Sequence, residues 1–420
     1  MKQKNTTPLP KRLLDKFAPT FSEGGKLSWL HSFYEAMETF FYVPTTVTKK
    51  GSHVRDCNDM KRTMFMVIIA LVPTILFGMW NIGAQRAVEI DPITNAVLLS
   101  GADAYSVWQN FWFGFWELLP SILVTYIVGL SIECAFAQIR KEEVNEGFFV
   151  SGILIPLIIP IGTPLWMTGL ATAFAVIIGK EIFGGTGMNI FNPALIARMF
   201  IFFSYTSHIS GETVWYTDAH TGATALGELA STGQWPENLS VIDAFVGNMA
   251  GSVGETSTLC ILLGAIVLLS TGTASWRTML SVFLGGLVMG GVFNLLAPEN
   301  PTAYVQQLGL EGPEASEKLA LYSYMSLPAW KHLLLGGFAF GAVFMATDPV
   351  TSAQTNTGKW IVGFMIGALA ILVRVFNTGY PEGMMLAIIF MNALAPVVDH
   401  YVVQANIRRR NRRAKKMVNA

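Results

Sequence analysis

The stretch Asp218-Ala219-His220-Thr221-Gly222-Ala223-Thr224 sets two hydroxyls among some of the smallest residues, led by an acid. Gly222 and Ala223 leave the Thr224 hydroxyl unshielded, and a neighbouring carboxylate can assist its attack on a phosphoanhydride. The same residues also build an ordinary turn, and composition alone does not separate the two readings. A second set of candidates is acidic. Glu133, Asp348 and Asp399 lie within or at the ends of apolar runs, where a carboxylate is costly unless it is neutral, paired or bound to a cation. A site for Na+ needs several hard oxygens, and carboxylates backed by carbonyls of unwound helix supply them. These three are therefore candidates for cation uptake or conduction. Each acid beside a turn or a terminus also has a plainer use: Asp348 before Pro349 can cap or turn the chain, and Asp399 can pair with Arg408. Glu146 and Glu181 lie near Lys141 and Lys180 and read as solvated ion pairs at a membrane surface. Cys57, Cys134 and Cys260 are widely spaced, with no CxxC pair and no His cluster near them. That pattern predicts neither a disulfide framework nor a metal site built from this chain alone.

The elements that hold these residues must be membrane helices. Only 13% of the 420 residues are charged and 52% are hydrophobic, and the mean hydropathy is +0.46, so a water-soluble globule would lack polar residues to clothe its surface. Apolar runs at 63–82, 112–136, 148–161, 165–182, 190–205, 258–271, 278–297, 332–347, 360–376 and 382–400 predict an all-α polytopic protein of about ten transmembrane helices. Of the 28 Lys and Arg, 18 sit between Lys2 and Arg62 or between Arg408 and Lys416. Basic runs flanking membrane segments are orientation signals, which places both termini in the cytoplasm and makes nucleic-acid binding a poor reading. Residues 206–257 contain no Lys or Arg and are expected outside. The basic opening has no apolar region behind it and is not a secretory signal.

The strings Gly147-Phe148-Phe149-Val150-Ser151-Gly152 and Gly337-Phe338-Ala339-Phe340-Gly341-Ala342 are alike, each followed by a Gly-rich and then an Asn-containing run. With five spans per half the repeats must be inverted, a plan that puts functional sites near the midplane at broken helices. The expected divisions are a cytoplasmic extension at 1–60, a first repeat at 61–205, an external loop at 206–257, a second repeat at 258–402 and a basic tail at 403–420. Within the extension Leu30, Phe33, Met37, Phe40 and Phe41 fall on one helical face, which suits either a surface helix or plain packing.

Asp218 to Thr224 fits D-x-x-[ST]-G-A-T, the pattern at which a flavin transferase couples FMN through a phosphoester to the last threonine. Together with K-E-E-V-N-E-G-F-F-V from Lys141, G-K-E-I-F-G-G-T-G-M-N-I-F-N-P-A-L from Gly179 and A-T-D-P-V-T-S-A from Ala346, it makes the chain resemble the NqrB family, the B subunits of the Na+-translocating NADH:quinone oxidoreductases. The likeness spans nearly the whole chain. The paralogous D subunit of the Rnf complex shares the core but typically lacks so long a cytoplasmic extension. The resemblance implies a six-subunit complex of the bacterial inner membrane that passes electrons from NADH to ubiquinone while exporting Na+. It implies covalent FMN on Thr224, with Asp218, Thr221, Gly222 and Ala223 recognised by the transferase. It also implies riboflavin at Gly187-Met188-Asn189-Ile190-Phe191-Asn192, where two amides three apart would share one helical face; packing and capping are the bland alternatives. Gly129, Leu130 and the stripe around Phe33 resemble the family's quinone region. A secondary transporter without redox activity would share the broken helices and intramembrane acids but not the flavin motif, and a structural anchor for soluble redox subunits would keep Na+-dependent turnover when Glu133 or Asp399 is replaced.

Overall fold

The computed structural model describes residues 19–21, 34, 48, 51–52, 60–90, 97–140, 147–206, 215–217, 220–222, 224–236, 239–377 and 382–418. The stripe of Leu30, Phe33, Met37, Phe40 and Phe41 lies outside them. The chain begins with two long helices, α1 (Met60–Ala84) and α2 (Val107–Arg140), joined through a small hairpin, β1 (Ala87–Ile90) with β2 (Val97–Ser100). Pro73 and Pro120 sit inside these helices, as membrane helices tolerate. The short α3 (Phe148–Ile158), α4 (Leu165–Gly179) and the short α5 (Pro193–Ser204) complete the first half.

A second hairpin, β3 (Trp215–Thr217) with β4 (His220–Gly222), pairs Trp215 with Gly222 and Thr217 with His220. It leads into α6 (Ala225–Thr232) and α7 (Val241–Val246). Then come α8 (Thr258–Ser270), α9 (Trp276–Leu296), and two helices outside the apolar runs, α10 (Pro301–Gln307) and α11 (Pro313–Met325). A short helical segment, α12 (Phe338–Phe340), passes into a π-helical turn at Gly341–Met345. The last elements are α13 (Asn356–Phe376) and α14 (Gly383–Val418). The two hairpins hold the only strands among the described residues.

Six helices are long and apolar enough to cross a membrane, and α3, α5 and α8 are shorter apolar helices. With α12 they fall on the ten apolar runs read from the sequence. Large apolar residues such as Ile127, Leu284, Val288 and Phe390 face outward, an arrangement that a bilayer stabilises and water does not. This is a membrane protein. Inside, Ile155, Leu157 and Ile158 of α3 meet Phe338, Phe340 and Val343 in one continuous core. Packing of α3 against buried chain is possible because its end is capped: Gly254 N donates to Leu157 O (2.9 Å) and Ser252 Oγ to Ile158 O (3.3 Å). A helix ending at membrane depth needs such donors, since lipid offers none. In the turn before α12 the fully buried Arg374 of α13 donates to His332 O and Leu335 O, carbonyls that lie outside any helix ladder there. The final helix α14 runs unbroken past Pro396 and carries the exposed basic residues Arg408 to Lys416 at its end.

Candidate functional site

The short helices meet around a cavity of about 760 Å³, its open mouth included. Its floor comes from Gly147 and α3 (Val150, Ser151, Leu154), one wall from α1 (Thr63, Met64, Val67) and another from Phe344 to Val350. The polar wall is a tight loop after α4. Lys180 ends that helix, Gly184, Gly185 and Gly187 take φ of 116°, 92° and 91°, and the loop delivers Thr186, Asn189 and Asn192 to the cavity. Positive φ at three positions is open to glycine and strained for other residues.

Asn189 and Asn192 do not share a helical face as expected. Pro193 occupies the first helical position of α5, so both amides lie before the helix. Asn189 Oδ1 accepts from Gly187 N (3.3 Å) and its Nδ2 donates to Phe191 O (3.0 Å). Asn192 Oδ1 caps α5 by accepting from Ala194 N (3.0 Å), while its Nδ2 donates to Asp348 Oδ2 (3.2 Å). Asp348 also accepts from Val350 N and Thr351 Oγ1. It thus turns the chain, as its plainer reading has it, and faces the cavity as well.

Glu133 and Lys180 form a buried ion pair, with Glu133 4% and Lys180 3% exposed. Glu181 pairs instead with Arg140, Oε2 to Nη1 at 2.9 Å. The expected surface pairing of Glu181 with Lys180 is therefore wrong. Lys180 ends α4 and Glu181 opens the 3-10 turn that follows, and α2 offers Glu133 to one and Arg140 to the other. Glu146 lies outside the described residues. Asp399 makes no pair with Arg408 here; its carboxylate accepts from Gln354 N (2.6 Å), Thr355 N (3.1 Å) and Thr355 Oγ1 at the start of α13. The structure therefore gathers Asn189, Asn192 and Asp348 at one cavity, with Glu133 behind Lys180, and leaves Asp399 at the far end of the 348–355 linker.

Gly129 lies on the buried face of α2, where a Cβ would stand 1.8 Å from Phe148 Cζ; Leu130 beside it is half-buried. Both lie outside the residues lining the cavity. Phe33 lies outside the described residues.

A sequence model of the NQR2, RnfD, RnfE family matches residues 47–408. The chain belongs to that family. A protein of Chromohalobacter salexigens is 46% identical over 414 residues, 95% of each chain. One of Ectopseudomonas mendocina is 45% identical over 415 residues, 94% of this chain and 97% of its own, and one of Azotobacter vinelandii is 44% identical over 415 residues with the same coverage. All three bear the name of the B subunit of an Na(+)-translocating NADH-quinone reductase.

In this NQR2-family chain, Thr224 is the N-cap of α6, its Oγ1 accepting from Gly227 N at 3.2 Å. Thr221 and Gly222 lie in β4, while Asp218 and Ala223 lie outside the described residues. The helix rests on its own apolar cluster of Leu226, Leu229, Ala244, Tyr324 and Leu335. Burial pushes the Tyr324 phenol above its usual range, with the Arg374 guanidinium acting against it. Sequence reasoning missed the charges beneath this platform: Arg198 of α5 bridges Glu255 and Glu382, and Arg374 holds the turn before α12. The signal was present, since each arginine sits inside an apolar run.

Proposed function

We propose that this chain is the flavin-bearing membrane subunit of an Na+-translocating NADH:quinone reductase, passing electrons from FMN on Thr224 through riboflavin in the cavity towards ubiquinone. The observation that carries the reading is similarity along 95% of the chain to a protein named as the B subunit of that reductase. The D subunit of an Rnf complex is the alternative within the family. The relatives that share this length favour the first of the two.

The residues suit both flavins. The cavity joins apolar walls to Asn189, Asn192, Lys180 and Asp348, and the buried Thr186 Oγ1 has no hydrogen-bond partner among the described residues. A buried hydroxyl without a partner is satisfied by a bound group or an ordered water. When bound, a flavin supplies one-electron and two-electron chemistry. The chain's own residues orient the ring by its polar edge and keep water from it with Met64, Val67, Leu154 and Phe344. Thr224 suits a phosphoester because a helix N-terminus presents N–H groups and a positive dipole end to the phosphate.

On this reading the cytoplasmic termini, the external 206–257 loop and the inverted repeats all stand, with α3 and α12 as the interrupted helix of each half. Na+ is the cargo, with Glu133, Asp348 and Asp399 as its candidate carboxylates. Quinone is reduced near Gly129, Leu130 and Phe33. The partners are the other members of a six-subunit complex in a bacterial inner membrane, together with a flavin transferase and membrane lipid. Coupling arises where the redox state of a flavin biases which side of the bundle a carboxylate serves.

The test is in-gel flavin fluorescence under denaturing conditions on the chain expressed with its transferase. A fluorescent band in wild type that Thr224→Ala abolishes supports the reading. A colourless chain in a transferase-competent host overturns it and favours a transporter without redox activity.

A further inference from the structure

The buried pair of Lys180 and Glu133 is more than a clamp between helices, because only one of its members reaches the cavity. Lys180 lines it and Glu133 does not. Glu133 is the only hydrogen-bond partner of the Lys180 ammonium among the described residues, which leaves donors of a three-donor group uncommitted. Glu133 in turn uses one oxygen, and its Oε2 is buried with no partner among the described residues. The Phe148 ring lies 6.0 Å from Nζ and shields the pair on the α3 side. A buried pair held by one hydrogen bond, with spare capacity on both members, does not recover the cost of desolvating two charges. Its persistence calls for a further occupant on the cavity side.

We infer that the Lys180 ammonium is the charge that sets the reduction potential of the flavin in the cavity, with Glu133 as the residue that positions it. The inference rests on the cavity being a flavin site. Each electron that the flavin takes from the preceding carrier adds a negative charge to the ring. A cation fixed nearby in a medium of low dielectric stabilises that charge, and a carboxylate behind the cation partly offsets it. The two residues therefore act with opposite sign. Removing the positive charge disfavours reduction, and neutralising the carboxylate favours it.

The experiment is a spectroelectrochemical titration of the non-covalent flavin in the whole purified complex, with flavin content measured in the same preparations. Lys180→Met is expected to shift the reduction equilibrium about tenfold towards the oxidised form, about 59 mV for a one-electron couple. Glu133→Gln is expected to shift it the other way, and Lys180→Arg to restore the wild-type value. A clamp with no electrostatic role would move neither potential, or both in one direction, and either result with flavin retained overturns the inference. Where Lys180→Met loses its flavin, Glu133→Gln decides alone: a raised potential supports the inference, and an unchanged or lowered one refutes it. Should neither single variant assemble, the doubly neutral Lys180→Met/Glu133→Leu decides, with a lowered potential in support and an unchanged one against. The cavity reading fails separately, by a wild-type complex without non-covalent flavin or by Asn192→Leu keeping full content at an unchanged potential.

Discussion

Substituting Gly129 with alanine tests whether that position contacts quinone or holds a helix. An added Cβ would stand 1.8, 2.4 and 2.6 Å from Cζ, Cε1 and Cε2 of Phe148, against about 3.5–4.0 Å for ordinary carbon contacts. The ring would have to retreat by nearly 2 Å on that scale. It has little room to do so: Phe148 is 0% exposed and packs edge-on against Tyr126 with centroids 6.1 Å apart. The Tyr126 hydroxyl donates to Phe149 O at 2.7 Å, so moving the ring drags the first turn of α3 and with it the cavity floor. Overpacking of this kind costs about 1–3 kcal/mol, and the upper part of that range is expected. The assay is the thermal midpoint of the purified complex together with its KM for quinone. Gly129→Ala should lower the first and raise the second. Phe148→Leu in the same chain should recover both, with a favourable coupling of at least about 1 kcal/mol in the double-mutant cycle. Additive effects, or Gly129→Ala behaving as wild type, would refute the steric account.

Thr224→Asn keeps a side-chain oxygen for the cap of α6 and lacks the hydroxyl, so the thermal midpoint should stay within a few tenths of a kcal/mol of wild type while the fluorescent band disappears. Arg198→Met withdraws the guanidinium that bridges Glu255 and Glu382; a loss of about 3–5 kcal/mol should appear as failed assembly on native gels, and Arg198→Lys should rescue poorly because one ammonium cannot span both carboxylates. Asp399→Ala strips the acceptor from the start of α13 and should cost about 1–3 kcal/mol in thermal stability. Asp399→Asn keeps an acceptor and should leave the midpoint intact while raising the Na+ concentration for half-maximal turnover; an unchanged Na+ dependence removes Asp399 from the ion path.

Local patterns set what is legible in the sequence. Apolar runs of membrane length locate the helices, and the Gly and Pro punctuation around Pro156 and Gly336 shows which are short. What stays hidden depends on which helices touch. No local rule gives Lys180 to Glu133 rather than to its neighbour Glu181, since the partners of both are supplied by another helix, α2, which brings Glu133 to one and Arg140 to the other. The spacing of Asn189 and Asn192 suits a helical face, yet Pro193 starts the helix only after both have been used. Resemblance alone singles out Gly129, and its steric role becomes visible only when Phe148, from another helix, is placed against it.

The last helix carries a consequence of its own. Its 36 residues extend about 54 Å at 1.5 Å per residue, and a hydrocarbon core takes up about 30 Å of that. The remainder stands in water as a rod with Arg408 over Arg412, Arg409 over Arg413 and Arg412 over Lys416, each one turn apart, and no acid between Tyr401 and Ala420. Like charges at that spacing oppose the helix by a few tenths of a kcal/mol per pair. The end of the rod therefore winds more tightly as ionic strength rises and loosens as it falls, the reverse of a helix laced with salt bridges, and its length in solution follows the salt around it.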